Sequence, residues 1–421
     1  MGIFAFSRIA LTISVAASLL AGCGGSQPPI GVLLGSRYGA VPTERAHPDA
    51  GGRLGTVFSM TKSGKAVVLY RFGGGSEDGS NPYAGLTNIG DTLYGTTESG
   101  GAYNGGTAFA IAPSGAETVL HSFGGSGDGA NPLAGLVNVN GTLYGTTLRG
   151  GGNGCYNDSG NGCGTIFSIT PSGTETVIYS FKGFPDGALP AAGLLNVNGT
   201  LYGTTRSGGN SSCSVGGIQG CGAVFEATPS GEETVLYSFD GNGAYPEAGL
   251  TNVNGTLYGT AYSSAGGIVF KISTSGKESI VYKFQEEASG WDPHSGLLNV
   301  NGTLYGTTRE GGIPCNHTEI RYCGTVYSVT PSGSEKVLHS FAGSSDGKWP
   351  LAGLIKVNGT LYGTTSEGGV GDHGTVFAIT TSGAEKVVHT FGRVSAGKNP
   401  YAGLLEVKGR LYGTTFAGGA H

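Results

Sequence analysis

After an apolar run from Ile9 to Ala21, one pattern of apolar and polar positions repeats along the chain, with a clear copy from Ala192 to Phe239. Its first half reads AGLLNV, then NG, then TLYGTT: two short apolar-rich segments around an Asn-Gly pair, the strongest two-residue hairpin signal. A variable loop follows, then GAVFEAT, PSG and EETVLYSF, two further segments around a turn whose glycine accepts a positive φ. The pattern predicts four antiparallel strands per unit. Strict alternation within the segments is weak, as expected of sheets covered on both faces rather than a sandwich sheet with one wet side. Helical periodicity does not appear after the first apolar run, which argues against a helical solenoid.

The repeated tyrosine recurs at Tyr94, Tyr144, Tyr202, Tyr258, Tyr305, Tyr362 and Tyr412, at spacings of 50, 58, 56, 47, 57 and 50 residues. Units of that length with four strands are propeller blades. The array opens on a half unit, Gly55 to Phe72, and closes on the complementary half, Ala402 to Thr415. Six whole units and two halves predict an all-β, seven-bladed β-propeller. The N-terminal half would supply the outer strands and the C-terminal half the inner strands of one shared blade, so that no sheet edge stays open. An open solenoid gives no reason to split a unit in this way.

The phrases AGLLNVNGTLYGTT, GCGTIFSITPSG and ETVIYSF resemble the GloVer-type tandem repeat of exported bacterial proteins with assorted surface anchors, the choice-of-anchor proteins. The similarity spans about residues 55 to 415. It implies an exported, anchored, propeller-like array and transfers no catalytic residue.

The N-terminus agrees with export. Arg8 precedes the apolar run, which ends on Leu20-Ala21-Gly22-Cys23, a stretch too short to span a membrane and similar to a bacterial lipobox. The expected organisation is a lipoprotein signal peptide over residues 1–22, a lipidated Cys23 with its tether over 23–54, and the propeller over 55–421. Acyl chains on Cys23 would make the membrane a partner without a spanning helix. That places the protein in the cell envelope, in the periplasm or on the cell surface. The other six cysteines form three pairs of equal spacing at equivalent repeat positions: Cys155 and Cys163, Cys213 and Cys221, Cys315 and Cys323. They read as local disulfides formed in an oxidising compartment. Zinc is the weaker reading, because two thiols per loop do not complete a tetrahedral set.

Composition and charge narrow the function. With 83 glycines and 12% charged residues the chain is unusual, yet 38% hydrophobic residues suffice for a core, and the glycines lack a collagen period. Loss of residues 1–22 removes one basic residue, Arg8, leaving 22 basic against 28 acidic, a net charge of −6. Without a basic cluster, nucleic acid is not an expected partner. No cofactor motif occurs. One Gly-x-Ser-x-Gly match, Gly343 to Gly347, lies in a link between units and not at a strand-to-helix turn. The Asn-Gly-Thr triplets such as Asn140 serve hairpin turns, and the Asp-Gly links at Asp78, Asp128, Asp186 and Asp346 read first as turns and second as calcium ligands.

If the Ala-Gly-Leu strand is innermost, the tight Asn-Gly and Pro-Ser-Gly turns occupy one face of the disc. Loops of differing length, the cysteine pairs and most variation between units occupy the other, which is therefore the expected binding face. Candidates there are the charges directly after the Tyr-Gly-Thr-Thr phrases: Glu98, Arg149, Arg206, Arg309, Glu310 and Glu367. A second group is Trp291, Asp292 and His294, which replace the usual Asp-Gly-x-x-Pro link. An aromatic beside an acid and an imidazole suits sugar stacking and acid–base work, whereas repair of a degenerate repeat accounts for it equally. His121, His339 and His389 stand where Tyr179 and Tyr237 stand in other units, and are expected to pack as aromatics. The favoured expectation is a surface-anchored recognition or scaffold propeller that binds glycan or protein through the long-loop face. The alternative is a propeller enzyme, a polysaccharide lyase or hydrolase acting at the channel mouth.

Overall fold

A computed structural model describes residues 54–152, 154–155, 162–209, 213–215, 218–241, 245–262, 266–284, 288–315, 322–392 and 396–419. All belong to the compact unit Asp49–His421. The expected signal peptide, Cys23 and almost all of the tether lie outside the described residues. Those described contain no α-helix, and their main sheets are seven, each of four antiparallel strands. Blade 1 is typical, with strands Thr87–Ile89, Thr92–Thr97, Thr107–Ile111 and Glu117–Ser122 in spatial as well as sequence order. Blade 7 is the shared one. Its inner strands Leu405–Val407 and Arg410–Thr415 come from the C-terminal end, and its outer strands Thr56–Thr61 and Ala66–Arg71 from the N-terminal end. The join runs in unbroken register from Thr56 opposite Thr415 to Thr61 opposite Arg410.

Local chemistry explains the blades. The Asn-Gly turns place both central residues at positive φ, as in Asn140 (52°) and Gly141 (89°), the geometry whose twist matches paired strands. The first strand of each blade lies beside the first strands of its neighbours, so the Ala-Gly-Leu segments surround the axis. Glycine lets the segments approach closely there. A Cβ on Gly135 would lie 3.2 Å from the Gly85 carbonyl, and equivalent distances of 3.2–3.5 Å run round the ring to Gly85 against Gly403.

Seven hydrophobic clusters fill the blade interfaces. Each contains an edge-to-face pair in which the aromatic after one blade's outer strand meets the third-strand aromatic of the next. The pairs run from Phe72 and Phe109 (5.1 Å) to Phe391 and Phe58 (5.3 Å), which closes the ring. Such pairs contribute about 0.5–1.5 kcal/mol each beyond area burial. Nearer the axis, the first threonine of each Tyr-Gly-Thr-Thr phrase donates across the interface to the carbonyl of the next blade's inner segment. Thr96 to Ala134 (3.0 Å) begins the series and Thr414 to Ala84 (3.0 Å) completes it.

The three cysteine pairs are disulfides with Cα atoms 5.1, 5.5 and 5.2 Å apart, each joining cysteines 8 residues apart. Loops this short lose about 2–3 kcal/mol of unfolded-state entropy on closure. Three disulfides suit an oxidising, extracytoplasmic compartment.

Candidate functional site at the channel mouth

The loop face meets the axis at seven X-Pro-Z-Ala/Ser-Gly segments, one per blade. The residue before each proline has φ between 54° and 63°: Asn81, Asn131, Leu189, Tyr245, Asp292, Trp349 and Asn399. Its carbonyl accepts from the backbone N–H of the residue after the Tyr-Gly-Thr-Thr phrase (Tyr-Gly-Thr-Ala in blade 4), at 3.0–3.5 Å. Two concentric sets of seven positions result. The first, after the proline, holds Tyr83, Leu133, Ala191, Glu247, His294, Leu351 and Tyr401; the second holds Glu98, Leu148, Arg206, Tyr262, Arg309, Ser366 and Phe416.

Charge collects in blades 3 to 5. His294 lies between two carboxylates, with Nδ1 2.8 Å from Glu247 Oε2 and Nε2 2.8 Å from Asp292 Oδ1. Arg206 Nε is 2.8 Å from Glu247 Oε1, although its N–H is not aimed at the oxygen, so the contact is an ion pair without a formed hydrogen bond. Arg309 Nη1 reaches Asp292 Oδ2 at 3.5 Å, and its guanidinium rests over the Trp349 ring. The side chains are 9% (Asp292) to 26% (Arg309) exposed, so the charges are largely desolvated yet reachable.

Burial would depress the His294 imidazolium, but Asp292 and Glu247 outweigh it and raise the pKa to about 10. Burial would raise Glu247, but His294, Arg206 and Arg309 hold it at about 2. Both ions are therefore fixed at neutral pH. With three cations against two anions, the chain of contacts carries one net positive charge.

Aromatic rings occupy the opposite side. Tyr83 and Tyr401 lie 5.2 Å apart at 34°, and Phe416 meets both, at 6.2 and 5.0 Å. Burial raises the Tyr83 pKa, and Glu247 raises it further while Arg309 opposes, so the phenol lies in the field of the charged arc. Glu98, beside this arc, is pushed up to about 7 by burial against the pull of Arg149.

The sequence-derived candidates thus separate. Asp292, His294, Arg206 and Arg309 meet in one network, and Glu98 occupies the same set of positions as the two arginines. Arg149, Glu310 and Glu367 are one residue further on, in short ladders where the inter-blade link pairs with the residues after the second strand. Trp291 belongs to the same kind of ladder, bonded to Glu310 through its backbone (2.7 and 3.0 Å), with its ring edge near Gly266. The ring parallel to His294 is Tyr262, at 6.4 Å and 13°. Sequence reasoning missed Glu247, and with it Tyr83 and Tyr401. Aligning the residues that follow the link prolines would have exposed all three.

At the outer rim the link aspartates are turn anchors. Asp186 accepts from Tyr179 Oη (2.8 Å) and the backbone N–H groups of Lys182 and Gly187. Asp128 and Asp346 take His121 Nε2 (2.9 Å) and His339 Nε2 (3.2 Å) instead. The rings of His121, His339 and His389 pack edge-on against Phe123, Phe341 and Phe391. A glutamate of the next blade completes each group. His121, Asp128 and Glu175 approach within 4.8 Å, close enough to ligate a metal. Tyr179, Asp186 and Glu233 form the equivalent group with a phenol, which suits a proton-sharing clasp.

The fold and its mouth define a repeat propeller with a variable face on a uniform scaffold. The Gloeobacter/Verrucomicrobia repeat model matches residues 12–215, 158–320 and 211–421, and the chain belongs to that family. Among curated proteins no sequence matches. Similar solved structures include virginiamycin B lyase from Staphylococcus aureus, with TM-score 0.52 and 14% identity over 86% of this chain and 99% of that one. Another is a putative 6-phosphogluconolactonase from Bacteroides uniformis, with TM-score 0.51 and 14% identity over 81% and 96%. At this identity the likeness is one of fold.

Proposed function

We propose that the protein is an exported recognition or scaffold propeller, tethered to the cell envelope through a lipidated Cys23, that binds glycan or protein at the mouth of its long-loop face. The observation that carries the reading is the contrast within each blade. The strands and their cross-interface threonine bonds repeat, while the residues they present at the mouth differ from blade to blade and bring desolvated charge opposite an aromatic wall. A uniform scaffold holding variable polar and aromatic groups is how recognition surfaces are built.

A glycan array and an envelope pull-down with the full chain in detergent test the binding. Saturable capture that is lost in Arg206→Ala and kept in Trp291→Ala supports the mouth; capture indifferent to Arg206 moves the site elsewhere. The tether has its own test. Cys23→Ser should abolish incorporation of labelled fatty acid and release the protein from membranes, and an unchanged membrane fraction refutes it.

The convergence of Asp292, His294 and Glu247 with two arginines favours a second reading, a lyase or hydrolase at the same mouth. General acid–base work at neutral pH needs a group poised near pH 7. His294 at about 10 and Glu247 at about 2 are poorly placed, which leaves Glu98, at about 7, for that role. Turnover of a captured glycan, abolished by Glu98→Gln, would establish the enzyme.

A further inference from the structure

We infer that the ligand of this mouth is an acidic glycan, whose uronic acid carboxylate is taken by Arg206 and Arg309 while a sugar face lies on Tyr83, Tyr401 and Phe416. The inference rests on the proposed recognition role and narrows its ligand class.

The charge pattern selects the carboxylate. In a chain whose sum is −5, the charged arc carries a surplus of one cation. Glu247 and Asp292 are both occupied by His294, so neither is left to balance the arginines alone. Arg206 engages Glu247 only through Nε, and its two Nη groups have no partner among the described residues. Arg309 makes one long contact to Asp292 through Nη1, with its guanidinium carbon 5.7 Å from the Trp349 ring centroid. Two pre-positioned guanidinium forks with unused donors, in a partly desolvated setting, match the geometry of a planar carboxylate.

The opposite wall selects a sugar ring. Tyr83, Tyr401 and Phe416 form one continuous aromatic surface from blades 7 and 1. Two of the three rings add a hydroxyl, so the wall combines apolar faces with hydrogen-bonding tips. A pyranose has the same combination, with C–H faces and equatorial hydroxyls. Peptide capture by strand addition would use the outer edge strands at the rim, such as Glu117–Ser122, and not the mouth, where the inner strands lie beside one another round the axis.

The test uses the full chain in detergent and calorimetric titration with an oligogalacturonate of four to six units. Controls are the same oligomer as its methyl ester, a neutral galacto-oligosaccharide of equal length, and a short peptide with a C-terminal aromatic residue. Saturable binding of the free acid, at least about tenfold tighter than the ester and weakened by a similar factor in Arg206→Gln and Tyr401→Ala, is the expected result. Equal affinity for acid and ester overturns the inference and leaves glycan recognition standing. Preference for the peptide overturns it in favour of a protein partner. Binding of none of the four overturns it as well, and the broader array and pull-down then decide whether recognition at the mouth survives. The acid–ester comparison needs no variant, so a misfolded substitution cannot obscure the outcome.

Discussion

The two sides of the mouth hold the same backbone geometry by different means. In blades 7, 1 and 2 the residue before the proline is asparagine, which adopts positive φ readily. Its side-chain amide also donates to the preceding blade: Asn81 to the Phe416 carbonyl, Asn131 to Glu98 and Asn399 to Ser366. In blades 3 to 6 the position holds Leu189, Tyr245, Asp292 and Trp349, all still at positive φ. There no asparagine amide is present: Trp349 donates through Nε1 to the Tyr322 carbonyl of the preceding blade (3.2 Å), the Arg206–Glu247–His294–Asp292–Arg309 chain joins blades 3 to 5, and the Arg309 guanidinium lies over the Trp349 ring. The repeat is thus most regular where the mouth is aromatic and least regular where it is charged. Departure from the consensus marks the place where scaffold geometry is strained to present chemistry.

The largest effect is expected from breaking the charged chain. Glu247→Ala leaves His294 and Arg206 facing each other without their shared anion, and should cost about 3 kcal/mol or more in urea unfolding. Tyr83→Ala on the aromatic side removes no buried charge partner and should cost less. Equal losses would mean that the charged arc is solvated and the contrast false.

A smaller effect concerns the amide bonds. Leu189→Asn should stabilise the fold by at most about 1 kcal/mol, because the relieved positive φ and the new donor toward blade 2 are offset in part by the apolar packing that Leu189 gives up. Asn131→Leu should lose a similar amount. If neither substitution shifts the unfolding midpoint, the asparagines are incidental.

The last effect is pH dependence, which separates rim from mouth. Burial pushes Glu117, Glu175 and Glu233 up to about 7. The folded chain then keeps protons that the unfolded chain has lost, so their contribution is whole below about pH 4.5 and disappears as pH rises through about 7. His294, raised to about 10, contributes fully below about pH 6.5 and loses that contribution toward pH 10. Thermal melting should fall in two windows, and Glu175→Gln should shrink the lower one while leaving the upper unchanged. A melting temperature that rises from pH 5 to pH 7 would reverse the assignment.

The fold was legible because its signals are local and recur seven times. Asn-Gly dictates a turn wherever it stands, and a unit split between the chain's two ends has few uses apart from closing a ring. The site was legible only in part, because it is written across blades. His294 and Arg206 stood out as charges, but Glu247 lies in the phrase YPEAGL, which reads as an ordinary link until the neighbouring blades are superposed on it. Arg149, Glu310 and Glu367 show the converse, since each stands one residue beyond the mouth position of its blade, in the short ladder with the inter-blade link.

The shared blade also determines how the ring bears load. Any pull from the upstream chain is met first by the backbone bonds of Leu54 and Gly55 to Phe72, Asn81 and Gly418, and then by the strand Thr56–Thr61, paired on one side with Ala66–Arg71 and on the other with Arg410–Thr415. A force directed along this strand shears its hydrogen bonds together, six residue pairs deep on the C-terminal side, rather than peeling them one at a time. The blade that closes the circle is thus also its mechanical clasp.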